Sequence, residues 1–176
     1  MDTEPQPSYE KILPLLLSLA DFFTSQVTAP RVLRIDIAPA LESLVVFADP
    51  RHLALVFRNL FNNALRATER RRLAVPRERR DGFEEILYLG CERVCEDELL
   101  LIFKDNGVGI APDLREKLYR HRCSDQRGKD HGLGAIIIRK LLDLNAASVL
   151  VLDTKTSGPD SGTTQRITLP CRKLAV

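Results

Sequence analysis

Apolar residues recur at helical spacing from Tyr9 to Val27, with Ile12, Leu16, Leu19, Ala20 and Phe23 on one stripe. The spacing predicts a helix with Pro14 in its first turn, where proline is tolerated, ended by Ala29-Pro30. The pattern then changes to alternation. Val32, Leu33, Ile35 and Ile37 predict a strand over Arg31 to Ala38, and Leu44 to Ala48 a second short one. Asp49-Pro50 reads as a helix start, a capping acid followed by proline at the first helical position. That helix is expected to reach about Arg70, with Leu53, Phe57, Leu60, Phe61 and Ala64 on one face. Asn59, Asn62, Asn63, Arg66 and Arg70 lie opposite. Three asparagines on one helix are poor helix formers, so this stripe stands out.

Farther along, Glu85 to Val94 and Leu99 to Lys104 predict a hairpin across an acidic turn, Cys95 to Glu98. A glycine-rich turn follows at Asp105 to Ile110, then a short helix over Asp113 to Arg120 and a polar stretch, Ser124 to His131. A third long helix is expected from Leu133 to Leu144. The strands Ser148 to Asp153 and Thr163 to Leu169 flank a Gly/Pro/Ser turn and close the chain. The order is α, β, β, α, β, β, short α, α, β, β. It predicts an α/β (α+β) protein: a two-layer sandwich, a mixed sheet with helices on one face.

The chain has 176 residues, 44% of them hydrophobic and 28% charged, the composition of one soluble globular domain. Residues 1–9 are expected to be a flexible lead-in and residues 10–176 the domain. The longest apolar stretch, Ile12 to Ala20, is broken by Pro14 and Ser18, well short of the roughly 18 clean residues of a membrane span. Met1 to Tyr9 has no basic start, so no secretory leader is expected. Four cysteines, at 91, 95, 123 and 171, form no C-x-x-C pair and have no histidine at zinc spacing, which suggests reduced thiols and a cytoplasmic setting. The net charge of +2 is uneven. Arg66 to Arg80 holds seven arginines against two glutamates, either a solvated helix end and loop or a docking surface for an acidic partner or phosphate.

Three segments carry candidate chemistry. Asp105-Asn106-Gly107-Val108-Gly109 sets a carboxylate at a strand end beside two glycines, which permit positive φ and close backbone approach. A carboxylate only accepts hydrogen bonds. It can take one from the exocyclic amine of adenine, which guanine does not offer at that place. The alternative is a capped turn. Gly132-Leu133-Gly134 opens a helix, where free N–H groups and the helix dipole favour an anion; glycine before a helix is also common for structural reasons. Asn59 and Asn63, at i and i+4, offer neutral oxygens of the kind Mg²⁺ accepts beside phosphate and water, or else a solvent-facing stripe.

Taken together in this order, the segments resemble the Bergerat-fold ATPases: gyrase, heat-shock chaperone, histidine kinase and mismatch-repair proteins. They are most similar to the catalytic, ATP-binding domain of sensor histidine kinases, over roughly residues 10 to 172. Asn59 to Thr68 resembles the kinase box N-L-L-x-N-A-x-K-x-T. Asp105 to Ile110 matches the first glycine box, Gly132-Leu133-Gly134 the core of the second, and Gly162 to Pro170 the closing G-T-T-F-x-x-x-L-P strand. The chain departs from the pattern at Asp130, where a glycine is usual. It departs also in the lid box, Leu118 to Ser124, and at Asn145-Ala146-Ala147 in place of His-Gly-Gly.

The resemblance implies ATP and Mg²⁺ as cofactors and a role for each matching residue. Asp105 would bind the adenine amine, and Gly107, Gly109 and Ile110 would pass the base. Asn63 would ligate Mg²⁺, Asn59 would polarise phosphate or water, and Arg66 would contact phosphate. Gly132, Leu133 and Gly134 would cover the phosphates, and Thr163 or Thr164 would support adenine. His52, His121 and His131 stand in no dimerisation-helix context. The implied activity is therefore histidine kinase catalysis on an acceptor outside this chain. The implied partners are a histidine-bearing dimerisation domain and then a response regulator, with no nucleic acid or membrane. The alternatives are an anti-sigma-factor-type serine kinase of the same fold, which usually has Glu at Asn59, and a degenerate nucleotide-binding adaptor.

Overall fold

The computed structural model describes residues 4–94, 97–115, 117–119 and 133–173. The strands are β1 (Ser8–Lys11), β2 (Val32–Ile37), β3 (Leu44–Ala48), β4 (Glu84–Val94), β5 (Glu98–Asp105), β6 (Ser148–Lys155) and β7 (Gly162–Lys173). The α-helices are α1 (Ile12–Ser25), α2 (Pro50–Ala74), α3 (Pro112–Arg115) and α4 (Leu133–Asp143). The strands form one sheet in the order β1-β3-β7-β5-β4-β2, with β6 also paired to β7. The β2–β4 pair is parallel and the other pairs are antiparallel, so the sheet is mixed as expected. The length of β7 lets one of its edges serve two partners in turn, β6 over Gly162 to Thr168 and then β3 from Cys171 onward.

Helices cover one sheet face because the apolar stripes and the strand alternation agree. Leu87, Leu89, Leu101, Phe103, Ile167 and Leu169 point into one core with Leu16, Leu53, Phe57, Leu60 and Phe61. Tyr88 and Lys104, one residue out of step, are exposed. Phe61 of α2 stacks on Phe23 of α1 at 5.3 Å and meets Phe103 of β5 edge-on at 5.5 Å, joining three elements through aromatic contacts. Asp49 caps α2 by accepting from the Arg51 N–H, with Pro50 at the first helical position. Its carboxylate also accepts from the Arg51 side chain and from the Gln6 N–H. Those bonds, the Arg51 side chain first, hold it far below the usual carboxylate range although it is buried.

The structure revises the sequence expectations at four places. Ser8 and Tyr9, assigned to the lead-in, belong to β1, which pairs with β3. The first helix consequently begins at Ile12 rather than Tyr9. The second helix continues past Arg70 to Ala74, because its last-turn arginines have partners inside the fold. Among the described residues of the expected short helix, Pro112–Arg115 are helical and residues 117–119 form a turn in which Tyr119 takes φ +69°. No helix among the described residues is long and apolar enough to cross a membrane.

Candidate functional site

The buried stripe of α2 fixes its rotation, so Asn59 and Asn63 emerge half-buried beside the start of α4. Asn59 Nδ2 donates to the Leu55 carbonyl at 2.7 Å, which leaves its Oδ1 facing α4. A Cβ added at Gly134 would lie 3.1 Å from Asn59 Oδ1 and 3.7 Å from Asn63 Oδ1. Glycine there lets two carboxamide oxygens reach the first turn of α4, whose leading N–H groups have no partner within the helix. Leu133 heads that helix and is exposed. Arg66 lies on the same α2 stripe and is exposed. Gly132, Asp130, His121 and His131 lie outside the described residues.

At the other end of the site, β5 ends in Asp105, directly opposite Thr163 of β7. The carboxylate accepts the Gly107 N–H at 2.9 Å and also the Thr163 N–H. Burial outweighs those bonds and pushes its pKa up to about 6. A strongly perturbed carboxyl at a strand end is a functional-site signature. Asn106 is a structural clamp. Its Oδ1 accepts the Ile86 N–H and its Nδ2 donates to the Glu84 carbonyl, so one side chain extends the β4 edge.

The glycines of this turn answer to close packing. A Cβ on Gly107 would meet Ala67 of α2 at 2.5 Å, and the neighbouring Val108 N–H donates to the Ala67 carbonyl. Gly109 has φ +71° and passes against the Lys155 carbonyl. The Ile110 N–H donates to Thr154 Oγ1 at 2.7 Å. The candidate residues therefore form two groups along α2: Asn59, Asn63 and Gly134 beside its middle turns, and Asp105, Gly107, Gly109, Ile110 and Thr163 beside its later turns, around Ala67 and Arg71. Thr164 pairs with Lys104 and falls on the opposite face from Thr163, which leaves Thr163 as the threonine beside Asp105.

Three features escaped the sequence reading. Tyr119 is buried and donates through its hydroxyl to Gln165 Oε1. Burial and then the Asp105 charge push the Tyr119 hydroxyl above its ordinary pKa, so Tyr119 lies near Asp105. Gln165 stands where the closing strand of the resemblance has Phe; a polar residue on a buried strand face was the available signal. His52, on α2, is buried. Asn145 Nδ2 donates to its Nδ1 at 3.1 Å, and Asn145 Oδ1 accepts the Asp49 N–H at 2.7 Å. His52 is thus held in a structural network that ties the start of α2 to the end of α4.

Residues 48–173 match the family described as histidine kinase-, DNA gyrase B-, and HSP90-like ATPase. The chain belongs to this ATPase family. Among solved structures, a mycobacterial sensor histidine kinase, MprB, aligns over 97% of this chain and 99% of its own, with 17% identity and a TM-score of 0.67. The catalytic domain of the histidine kinase ThkA aligns over 96% and 97%, with 18% identity and a TM-score of 0.70. Full-length ShkA, solved in complex with AMPPNP, aligns over all of this chain with 17% identity and a TM-score of 0.71. This chain spans 33% of ShkA. No curated protein matches the sequence. The ATPase family thus accounts for the sheet order, the long asparagine-bearing helix and the glycine turn as parts of one ATP-binding fold.

Proposed function

We propose that this chain is a histidine kinase catalytic domain, spanning residues 10–176, which presents Mg-ATP to a histidine on a separate dimerisation domain. The observation that carries the reading is the convergence of the Asn59 and Asn63 oxygens on the first turn of α4, with the turn after a buried Asp105 packed farther along α2 against Ala67. Asp105 accepts the adenine amine and Thr163 braces it. Gly107, Gly109 and Ile110 carry backbone past the base. Arg66 and the N-terminus of α4, with Gly132, Leu133 and Gly134, meet the phosphates. The Gly134 cradle fits a metal–phosphate group, because a side chain there would crowd Asn59. Asn63 Oδ1 is the proposed Mg²⁺ ligand, and the ion would supply charge neutralisation across the phosphates.

Phosphoryl transfer depends on positioning and charge stabilisation more than on a protein nucleophile. Asn59 carries no proton-accepting carboxylate, which disfavours activation of water or of a serine hydroxyl as in the rival reading. The phosphohistidine would then be read by a response regulator, and the setting is cytoplasmic.

The test is incubation with labelled ATP and Mg²⁺. The chain alone is expected to acquire essentially no acid-labile phosphate, because His52 is enclosed by Asp49 and Asn145 and the sequence around His121 and His131 is not that of a dimerisation helix. A histidine-bearing dimerisation domain supplied in trans is expected to be labelled slowly, since no tether raises its effective concentration. Strong self-labelling lost on histidine replacement would place the acceptor within the chain. Tight ATP binding without transfer to any acceptor would leave the adaptor reading.

Asp105→Asn separates binding from stability. Losing a charge-assisted hydrogen bond to adenine is worth about 1.5–3 kcal/mol, so ATP affinity measured by calorimetry is expected to fall by roughly one to two decades. A carboxyl raised from 3.8 to about 6 favours the folded state only when protonated. Its contribution is present below about pH 4 and is lost as pH rises through 6. The unliganded variant should therefore be more stable than the parent at pH 7, by up to about 3 kcal/mol, and should show no such gain at pH 4. In the parent, ATP affinity should weaken as pH falls below 6, and the variant should lose that dependence. Unchanged ATP affinity in the variant would remove Asp105 from the base site.

A further inference from the structure

We infer that Arg71 is a positioning residue for the base end of the nucleotide site, and that α2 is a rigid spacer holding that end at a fixed distance from the phosphate end. The inference rests on the reading of Asp105 as the base-binding carboxylate. One guanidinium nitrogen of Arg71 donates to the Asn106 carbonyl at 2.7 Å and to the Ser161 carbonyl at 2.8 Å. The other donates to the Pro159 carbonyl at 2.6 Å and to the Gly158 carbonyl at 3.3 Å. The group also lies 5.6 Å from the Phe83 ring centroid, a cation–π distance.

These carbonyls belong to the two backbone segments that make the base site. Asn106 follows Asp105 directly, and Ser161 precedes Gly162 and Thr163. The segments run so close that a Cβ on Gly162 would lie 2.1 Å from the Asp105 carbonyl oxygen. Carbonyl dipoles gathered this tightly repel unless a multivalent donor lies among them. The planar fork of arginine supplies five donors in fixed geometry, which the lysine ammonium does not. Arg71 thereby fixes the start of β7, and with it the Thr163 N–H that donates to Asp105. Val108 N–H to the Ala67 carbonyl is a second attachment of the glycine turn to the same helix. Asn63 and Arg71 are eight residues apart on α2, about 12 Å of helix rise. One rigid element thus sets the spacing between the two halves of a nucleotide site.

The test compares ATP and GTP binding to the 176-residue chain by calorimetry for the parent, Arg71→Met, Arg71→Lys and a control, Arg31→Met. Arg31 binds Glu85 and Glu69 and touches neither site segment. Arg71→Met is expected to lose ATP affinity by about tenfold or more and to lose most of the parent's preference for ATP over GTP. Arg71→Lys should fall between, and it decides the matter by the same ratio if the methionine variant does not fold. Arg31→Met should lower the melting temperature while keeping the ATP-to-GTP ratio. The parent's ratio retained in folded Arg71 variants overturns the inference. So does an equal collapse in Arg31→Met, which would make the effect general destabilisation. A parent that binds neither nucleotide overturns the Asp105 reading and this one with it; a parent that prefers ATP alongside unaffected Arg71 variants overturns this one alone.

Discussion

Replacing Asn63 with alanine is expected to abolish phosphoryl transfer while leaving the fold intact or slightly more stable. The two effects have opposite signs for separate reasons. Asn63 is half-buried in the middle of a 25-residue helix. Asparagine is a poor helix former, and alanine there should gain a few tenths of a kcal/mol. Its side-chain oxygen is held near the first turn of α4 by the rotation of α2, and helix propensity gives no reason for it to be there. If that oxygen holds the metal against the phosphates, its loss removes charge stabilisation that develops during transfer, typically worth a hundredfold or more in rate. Metal-free nucleotide binding should change much less, because Asp105 and the turn after it pack farther along α2, against Ala67. Labelling of an acceptor domain and ATP titration with and without Mg²⁺ read the two halves separately. Transfer at the parent's rate would exclude Asn63 from the site, and equal loss of metal-free binding would point to distortion of α4.

Much of the candidate site stood out in the sequence because its residues conflict with ordinary local preferences. Asparagines in mid-helix and glycines after a strand-end carboxylate have little local advantage, so their spacing carried information. The Asp49-Pro50 start of α2 was legible for the opposite reason, since capping chemistry is local. What could not be read depends on partners distant in the chain. β1 has the sequence Ser-Tyr-Glu-Lys, with no apolar alternation, and is a strand because β3 offers it an edge. The basic run looked like a solvated surface or a docking patch. Yet Arg71 binds carbonyls near 106 and 160, Arg72 lies 3.5 Å from the buried Glu85, and Arg80 binds the Leu73 and Val75 carbonyls. Those arginines finish the helix and the turn after it, which is why α2 outran its expected end. Asn145, read as a departure from a His-Gly-Gly pattern, bridges two helix termini. Ala146 beside it takes φ +52° where that pattern has glycine, a conformation alanine adopts at a cost of about 1 kcal/mol.

Glu85→Ala is the substitution expected to damage stability most. Glu85 is fully buried in β4. Its carboxylate accepts two bonds from Arg31, at 2.8 and 2.9 Å, and one from the Thr68 hydroxyl at 2.8 Å. Arg31 leads into β2, an edge strand held by its parallel pairing with β4. Thr68 and Arg72 belong to the last turns of α2, so this one carboxylate joins an edge strand, a central strand and the site-bearing helix. Truncation takes the fully buried counter-charge from the Arg31 guanidinium, which keeps only the partly exposed Glu69 at 3.1 Å, and takes the nearest carboxylate from the enclosed Nε of Arg72. Removing one partner of a buried pair costs about 3–5 kcal/mol, more than the intact pair contributes net, because the stranded charge stays desolvated. In a domain of this size that is a fall of roughly 6–20 °C in melting temperature. Glu85→Gln keeps the hydrogen-bonding shape without the charge and should lose less, and Glu85→Ala with Arg31→Met should lose less than the sum of the two. Calorimetric melting of the parent and the four variants, Arg31→Met included, checks the ordering. Strict additivity would mean the cluster does not act as a unit, and β2 would then be held by its backbone ladder alone.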